Sequence, residues 1–181
     1  MRLTSGAHTH VCRRKVVTGN KNLTAIGDST VEFYFAYGSN LWIDQMIRRT
    51  GPIDQSDGWP RRVTLAGYQF GFTMRSDEGE FFANIEPAEG LARGVLYRCS
   101  QGFLNTMDRF ETGYIRHSVF VSDEQGQSWQ AVTYIASAHH QSSGGEPSLV
   151  YLQRILRGAS DFEFPESYLR EIQTKGTPER A

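Results

Sequence analysis

Cysteine is scarce in this chain, and the two that occur form no recognisable pattern. Cys12 and Cys99 are far apart in the 181 residues, and neither has a second cysteine at CxxC spacing. Neither a zinc site nor a disulfide framework is therefore indicated. Isolated cysteines are typical of a reducing compartment, so we expect a cytoplasmic protein.

A strong net charge and a long apolar run are also missing. The formal net charge is −1, which gives no basic field for nucleic acid or for an anionic membrane surface. No apolar run approaches the roughly 18–20 residues that span a bilayer, and the phosphate-binding patterns GxxxxGK[ST] and GxGxxG do not occur. We expect no nucleic-acid or membrane partner. Without an amphipathic heptad pattern, we expect a monomer or a weak homodimer.

The histidines form no set with the spacing of a common metal site. His139 and His140 are adjacent in a polar segment, and an adjacent pair does not easily aim both rings at one ion. His117 stands alone before a predicted strand. We therefore expect no metal ion.

The two ends of the chain differ in composition from the middle. Residues 1–30 are basic, contain no acidic residue before Asp28 and have no apolar segment of a secretory signal. We expect a disordered leader there and a frayed tail at residues 176–181. Residues 31–175 then form one domain, which is long enough to bury a core.

The middle of the chain is rich in strand patterns. Strands are predicted at residues 31–36, 63–74 (one strand or two), 81–86, 92–98, 118–122 and 129–136. Helices are predicted at 41–49, from 103 to near 113, at 148–156 and at 165–172. Turn signals at residues 87–90 and 123–127 predict two hairpins, and residues 76–80 form a polar turn. About six strands with short helices predict an α+β fold, a small, mostly antiparallel β-barrel flanked by helices.

The first predicted strand ends abruptly in Tyr37, Gly38, Ser39 and Asn40, and a helical pattern follows. The first turn of a helix has unpaired backbone N–H groups, which can bind a carboxylate or an oxygen that becomes negative. Gly38 allows a ligand close to the backbone and permits a positive φ. Ser39 or Asn40 can cap the helix. This segment is a candidate floor of an active site.

Glu111 is the second candidate. Phe103, Leu104, Met107 and Phe110 form the predicted apolar stripe of a short helix, and Glu111 lies four residues after Met107, on the same side. A carboxylate against apolar walls has a raised pKa and can exchange protons near neutral pH. The alternative is an exposed glutamate at a helix end.

Tyr151 is the third candidate. Ser148 can cap a helix whose first turn presents the Tyr151 phenol to a ligand carboxylate, or Tyr151 is a core aromatic. The pair Arg48-Arg49 is most simply a solvated one.

Four segments in order resemble the gamma-glutamylcyclotransferase family. They are Tyr34-Phe35-Ala36-Tyr37-Gly38-Ser39-Asn40-Leu41, then Gly94-Val95-Leu96-Tyr97, the segment 104–113, and Pro147-Ser148 with Tyr151, Ile155 and Gly158-Ala159. The resemblance covers residues 31–172. It implies a small β-barrel with helices and neither a metal nor an organic cofactor.

The resemblance also implies an activity, which is release of 5-oxoproline from a γ-glutamyl peptide or amine. The family's catalytic glutamate corresponds to Glu111, and its ligand-contacting tyrosine to Tyr151. Its substrate loop corresponds to Tyr34, Phe35, Ala36, Tyr37, Gly38 and Ser39, with Asn40 beside them. This chain departs from the family where Thr112 separates Glu111 from Gly113.

The residues fit such a reaction, because the substrate's own α-amine attacks its γ-carbonyl and no protein nucleophile is needed. One carboxylate of tuned pKa can move both protons. Arg48 or Arg75 could hold the α-carboxylate, and residues 51–60 and 139–146 could set specificity. Two alternatives remain: another γ-glutamyl amide, such as γ-glutamyl-ε-lysine or a γ-glutamylated antibiotic precursor, and a non-catalytic binding or interaction module.

Overall fold

The structure, a computed structural model, describes residues 31–177 as a closed five-stranded barrel with helices around it. The strands are β1 (Val31–Ala36), β2 (Arg61–Arg75), β3 (Phe81–Ser100), β4 (Tyr114–Ser122) and β5 (Ser128–Ala136). The helices are α1 (Ile43–Thr50), α2 (Gln101–Met107), α3 (Leu149–Asp161) and α4 (Glu166–Gly176), and 3₁₀ turns occupy Ser39–Leu41 and Asp108–Phe110. The predicted leader, residues 1–30, and residues 178–181 of the predicted tail lie outside the described residues.

The barrel closes in the order β1-β3-β2-β4-β5. Neighbouring strands are antiparallel except β1 and β5, which are parallel and meet at Tyr34 and Val132. The predicted α+β fold with a small, mostly antiparallel barrel is confirmed, and the parallel pair makes the sheet mixed. Among the described residues, no helix has the length and apolar character to cross a bilayer.

The predicted hairpin at residues 87–90 is wrong, because β3 continues through them. Pro87 pairs with Tyr68 of β2 just where the register shifts, and Gly67 in that shift has a φ of +79°. Between these pairs three residues of β3, 88–90, lie opposite Gly67 alone, so β3 itself carries the extra residues. The bulge lies beside a proline that cannot donate to a regular ladder. The predicted polar turn at residues 76–80 is confirmed and joins β2 to β3. Because the predicted strands 81–86 and 92–98 are one strand, the described residues form five strands rather than six.

The helix before Glu111 is also shorter than predicted. Leu104 and Met107 are fully buried, as the stripe predicts, but the Phe110 side chain is 44 % exposed. The chain tightens into the 3₁₀ turn after Met107. Because a 3₁₀ turn has three residues per turn, Phe110 leaves the buried face that the α-helical spacing assigns to it.

Helix α3 packs directly on the turn that follows β1. Leu152, Ile155 and Ala159 are buried on its inner face. A Cβ at Gly158 would lie 2.4 Å from the carbonyl carbon of Leu41 and from the nitrogen of Trp42. The helix backbone therefore touches the backbone of the turn, and Gly158 is what allows the two to come so close.

Candidate active site

A cavity of about 400 Å³ opens beside the 3₁₀ turn Ser39–Leu41. Its walls include the end of β1, the 3₁₀ turn, the turn between β2 and β3, the start of β3, residues 110–114, His140 and the start of α3. Seven of the nine residues predicted for the site line this cavity: Tyr34, Tyr37, Gly38, Ser39, Asn40, Glu111 and Tyr151.

Phe35 and Ala36 are not among the lining residues. Side chains alternate along a strand, so Phe35 points away from the side that Tyr34 occupies. The Phe35 ring is fully buried and lies against Gly94 of β3, where a Cβ would come within 2.5 Å of a ring carbon. The Ala36 carbonyl oxygen would be 2.3 Å from the same Cβ. Both residues belong to the packing of the barrel.

Glu111 reaches the cavity as a nearly buried carboxylate. Its side chain is 11 % exposed, and Oε1 accepts a hydrogen bond of 2.9 Å from Asn40 Nδ2. Arg49 Nη1 lies 3.6 Å from the same oxygen. Burial raises the pKa of Glu111 to about 7, although Arg49 and the Asn40 hydrogen bond both act to lower it. The carboxylate is thus poised to take and return a proton near neutral pH.

Asn40 holds Glu111 through its side chain. Asn40 Nδ2 donates to Glu111 and also to the Tyr34 hydroxyl at 2.8 Å. Its Oδ1 accepts from Arg49 at 2.8 Å and from Gln45 at 3.2 Å. Since two donors face Oδ1, the orientation of the amide is fixed.

The predicted cap by Ser39 or Asn40 is therefore wrong. The residue before α1 is Trp42, which makes no side-chain cap hydrogen bond. A 3₁₀ turn separates the strand from the helix, so the Ser39 and Asn40 side chains lie too early to cap it. Ser39 Oγ instead accepts a hydrogen bond of 2.8 Å from Gln45 Nε2.

Arg49 is the site residue that the sequence interpretation missed. It was taken as half of a solvated pair, but its side chain is 23 % exposed and contacts Asn40, Glu111 and the Phe110 ring. Arg48 lies over the Trp42 ring instead and does not line the cavity. Arg75 also lies outside the lining. Gln45 and Arg49 are four residues apart on α1, and this shared face is a signal that could have indicated their joint contact with Asn40.

Gly38 is required for space rather than for a positive φ. Its φ is −105°, so the positive φ that glycine permits is not adopted here. A Cβ would lie 3.1 Å from the Ala83 Cβ and 3.3 Å from the Tyr151 hydroxyl. Within the described residues, no acceptor is paired with the N–H groups of Gly38 or Ser39. These two donors are therefore available at the cavity wall.

Tyr151 places its hydroxyl beside Gly38 at the cavity wall. Ser148 Oγ accepts from its backbone N–H at 3.3 Å, which confirms the predicted cap of α3. The Tyr151 hydroxyl accepts a hydrogen bond of 3.2 Å from Ala83 N–H. Burial raises the pKa of Tyr151 to about 12, so the phenol stays protonated and keeps a proton to donate to a ligand.

Thr112 does not turn Glu111 away from the cavity. The Tyr114 N–H donates to the Glu111 carbonyl at 3.0 Å, and Gly113 closes this turn with a φ of +84°. The extra residue is accommodated inside the turn, and only glycine adopts that φ at no steric cost. Of the two segments proposed to set specificity, residues 139–146 contribute His140 to the lining, and residues 51–60 contribute none.

Known proteins resemble this chain most clearly in their folds. A solved structure described as gamma-glutamyl cyclotransferase aligns at a TM-score of 0.71 and 21 % identity, over 83 % of this chain and 90 % of its own. The uncharacterised protein loc79017 from Homo sapiens aligns at a TM-score of 0.68 and 22 % identity, over 83 % of this chain and 91 % of its own. YkqA from Bacillus subtilis aligns at 0.70 and 22 %, over 81 % of this chain and 54 % of its own.

These similarities define the class of the fold, which is that of the gamma-glutamyl cyclotransferases. In sequence, residues 93–172 match the AIG2-like family. Together the two findings confirm the resemblance to the gamma-glutamylcyclotransferase family. No curated protein matches the chain in sequence.

Proposed function

We propose that the protein is a gamma-glutamyl cyclotransferase, which releases 5-oxoproline from a γ-glutamyl peptide or amine. One observation carries this proposal above the others. Glu111, with a pKa of about 7, lines the same cavity as the 3₁₀ turn whose Gly38 and Ser39 N–H groups are available. A proton-transfer group and oxyanion donors around one cavity are what an acyl transfer requires.

The proposed reaction begins with the γ-glutamyl chain folded in the cavity. Ionised Glu111 takes a proton from the substrate's α-ammonium, and the free amine attacks the γ-carbonyl carbon. A C–N bond forms, and the oxygen becomes negative beside the Gly38 and Ser39 N–H groups. One such donor commonly contributes about 3–4 kcal/mol to the barrier reduction. Tyr151 can donate to the glutamyl carboxylate.

The second half of the reaction breaks the bond to the leaving amine. Glu111, now protonated, gives its proton to the leaving nitrogen as the tetrahedral intermediate collapses. The ring nitrogen then loses its second proton to Glu111, which passes it to the released amine. The products are 5-oxoproline and the amine in its ammonium form, and the carboxylate is ionised again. Asn40 and Arg49 keep Glu111 oriented in both protonation states. The predicted cytoplasmic location and the predicted monomer or weak homodimer remain predictions.

Turnover of a panel of γ-glutamyl compounds tests the proposal. The protein is incubated with γ-glutamyl-alanine, γ-glutamyl-ε-lysine and glutathione, and 5-oxoproline is measured. We expect product from at least one compound, and the preference identifies the leaving amine. The N-acetylated form of the preferred compound is the control, because its blocked α-amine cannot attack. If no compound yields 5-oxoproline, the cyclotransferase proposal fails and a non-catalytic module is favoured.

The pH dependence offers a separate prediction. Glu111 must be ionised to accept the first proton, so kcat/KM is expected to rise with pH through an apparent pKa of about 7. Arg49 lowers the pKa of Glu111. Without Arg49 the pKa of Glu111 should rise, so Arg49→Met should move the rising part of the pH profile of kcat/KM to higher pH.

The neighbouring Arg48 is a matched control for Arg49. It lies on the same helix but over the Trp42 ring, outside the cavity lining. Arg48→Met should leave the rising part of the pH profile of kcat/KM at the same pH. Equal shifts in both variants would mean that the effect comes from general surface charge rather than from contact with Glu111.

A further inference from the structure

Three metal-binding side chains meet at the rim of the cavity. Asp77 lies in the turn between β2 and β3, and His139 and His140 lie between β5 and α3. Asp77 Oδ1 is 3.4 Å from His140 Nε2 and 3.9 Å from His139 Nε2. One ligand atom from each residue lies within 4.8 Å of the other two. Two adjacent histidines and Asp77 thus bring their ligand atoms close together, which the sequence interpretation did not anticipate.

The distances fit ligands of one ion better than direct bonds between the side chains. A hydrogen bond between nitrogen and oxygen is usually about 2.7–3.2 Å long, and both separations exceed this. Ligands about 2.0–2.2 Å from a tetrahedral ion lie roughly 3.4 Å apart. The separation between Asp77 and His140 has that value, and the exposed His139 ring needs only a small movement to match it.

The His140 ring is held in the orientation that a ligand needs. Its Nδ1 lies 2.9 Å from Ser137 Oγ. When Nδ1 carries the proton and donates to this hydroxyl, the lone pair of Nε2 faces Asp77. A hydrogen bond to the second ring nitrogen is the usual support of a metal-binding histidine, because it fixes both tautomer and ring orientation.

The backbone also brings the two segments together without an ion. Arg75 N–H donates to the His140 carbonyl at 2.8 Å, and Ser137 N–H donates to the Gly113 carbonyl at 2.9 Å. A bridge pairs Met74 with Gln141. The end of β2, which leads into the Asp77 turn, is thus fixed against the loop that carries the histidines. An ion would therefore bind without having to order the backbone of these two segments.

We propose that Asp77, His139 and His140 form a binding site for a divalent transition-metal ion of the Zn²⁺ class. Two imidazoles and one carboxylate suit Zn²⁺ or Co²⁺ and do not suit Mg²⁺ or Ca²⁺, which prefer oxygen ligands. Three protein ligands leave a fourth position open. Since Asp77 and His140 line the cavity and Asp77 is largely exposed, the ion stands at its rim.

Calorimetric titration of the full chain with Zn²⁺ tests this site. We expect binding that is at least tenfold weaker in His139→Ala and in Asp77→Asn, and Mg²⁺ should give no heat of binding at the same concentrations. Both side chains are largely exposed, 83 % and 73 %, so these variants should fold normally. His117→Ala is the matched control and should bind as the wild type does.

The leader also contains His8, His10 and Cys12, which can bind metal themselves. The assignment therefore depends on the difference between wild type and variants rather than on binding alone. If His139→Ala and Asp77→Asn titrate like the wild type, the proposed site is refuted. The titration needs no γ-glutamyl substrate, so its outcome is independent of the proposed function.

Discussion

Glu111→Gln is expected to lower kcat by about 10²–10⁴-fold, the usual contribution of a positioned acid–base group. Glutamine has nearly the same shape and can still accept the hydrogen bond from Asn40, so the cavity should keep its geometry. What is lost is the proton transfer to and from the substrate nitrogens. Release of 5-oxoproline under saturating substrate is the measurement.

Glu78→Gln is the control for this loss. Glu78 lines the same cavity but is exposed, and it makes no contact with Asn40 or Arg49 among the described residues. It should retain near-normal kcat. Full activity in Glu111→Gln would refute the proton-transfer role, whereas equal losses in both variants would point to the charge of the cavity as a whole.

The same Glu111→Gln substitution should stabilise the fold above pH 7. The folded carboxyl has a pKa of about 7, against about 4.5 for an exposed glutamate, so between these two pH values the folded state binds a proton that the unfolded chain does not. The free energy of unfolding is therefore highest, as far as this group is concerned, below about pH 4.5. It falls by on the order of 3 kcal/mol as the pH rises to 7. Glutamine cannot ionise, so the Glu111→Gln variant does not lose this stability as the pH rises.

Thermal unfolding at two pH values measures the effect. We expect the variant to have a Tm several degrees above that of the wild type at pH 8, and a Tm close to it at pH 4.5. A difference that is the same at both pH values would contradict the raised pKa. The activity loss and the stability gain together would mark Glu111 as a group that is kept for function at the expense of stability.

Gly158→Ala is expected to destabilise the protein by about 3 kcal/mol, although alanine is the better helix former. In an exposed helix interior the exchange usually stabilises by about 1 kcal/mol. Here the new methyl would lie 2.4 Å from backbone atoms of Leu41 and Trp42, and backbone cannot rotate out of the way. Overpacking of this kind typically costs about 1–3 kcal/mol or more. The Tm should fall by roughly 6–12 °C.

The substitution should also reduce activity, because the displaced backbone belongs to the turn that carries Ser39 and Asn40. A misplacement of about 1 Å in an active site can lower the rate about 100-fold. Ser160→Ala, an exposed position on the same helix, is the control and should change neither Tm nor kcat appreciably. A Gly158→Ala protein with raised Tm and full activity would show that α3 and the turn are not in tight contact.

The local parts of the fold are predictable from the sequence because their signals are local. β1 has its predicted bounds, Val31–Ala36, since an apolar run ends at a glycine. The turn between β4 and β5 is found from its polar residues. At residues 87–90 the same kind of reasoning fails, because the proline and glycine that indicate a turn lie in a bulge of β3, and β3 pairs with β2 on both sides of it.

The candidate site is predictable only in part, for a related reason. Glu111 and Asn40 were each identified from their own segments, but their hydrogen bond joins residues 71 positions apart. Only closure of the barrel creates it. Arg49 was missed because an arginine pair on a short helix is usually solvated, and nothing near it in sequence indicates a buried carboxylate.

The close packing of α3 on the turn after β1 has a consequence for synthesis of the chain. Residue 158 follows residue 41 by 117 positions, so at about 5–20 residues per second the ribosome needs roughly 6–23 s to add it. Throughout that interval the nascent chain holds the Tyr-Gly-Ser-Asn segment without the helix that covers it. The active-site wall is therefore completed late in translation, and a product truncated before α3 would contain both Glu111 and Asn40 and still lack a finished pocket.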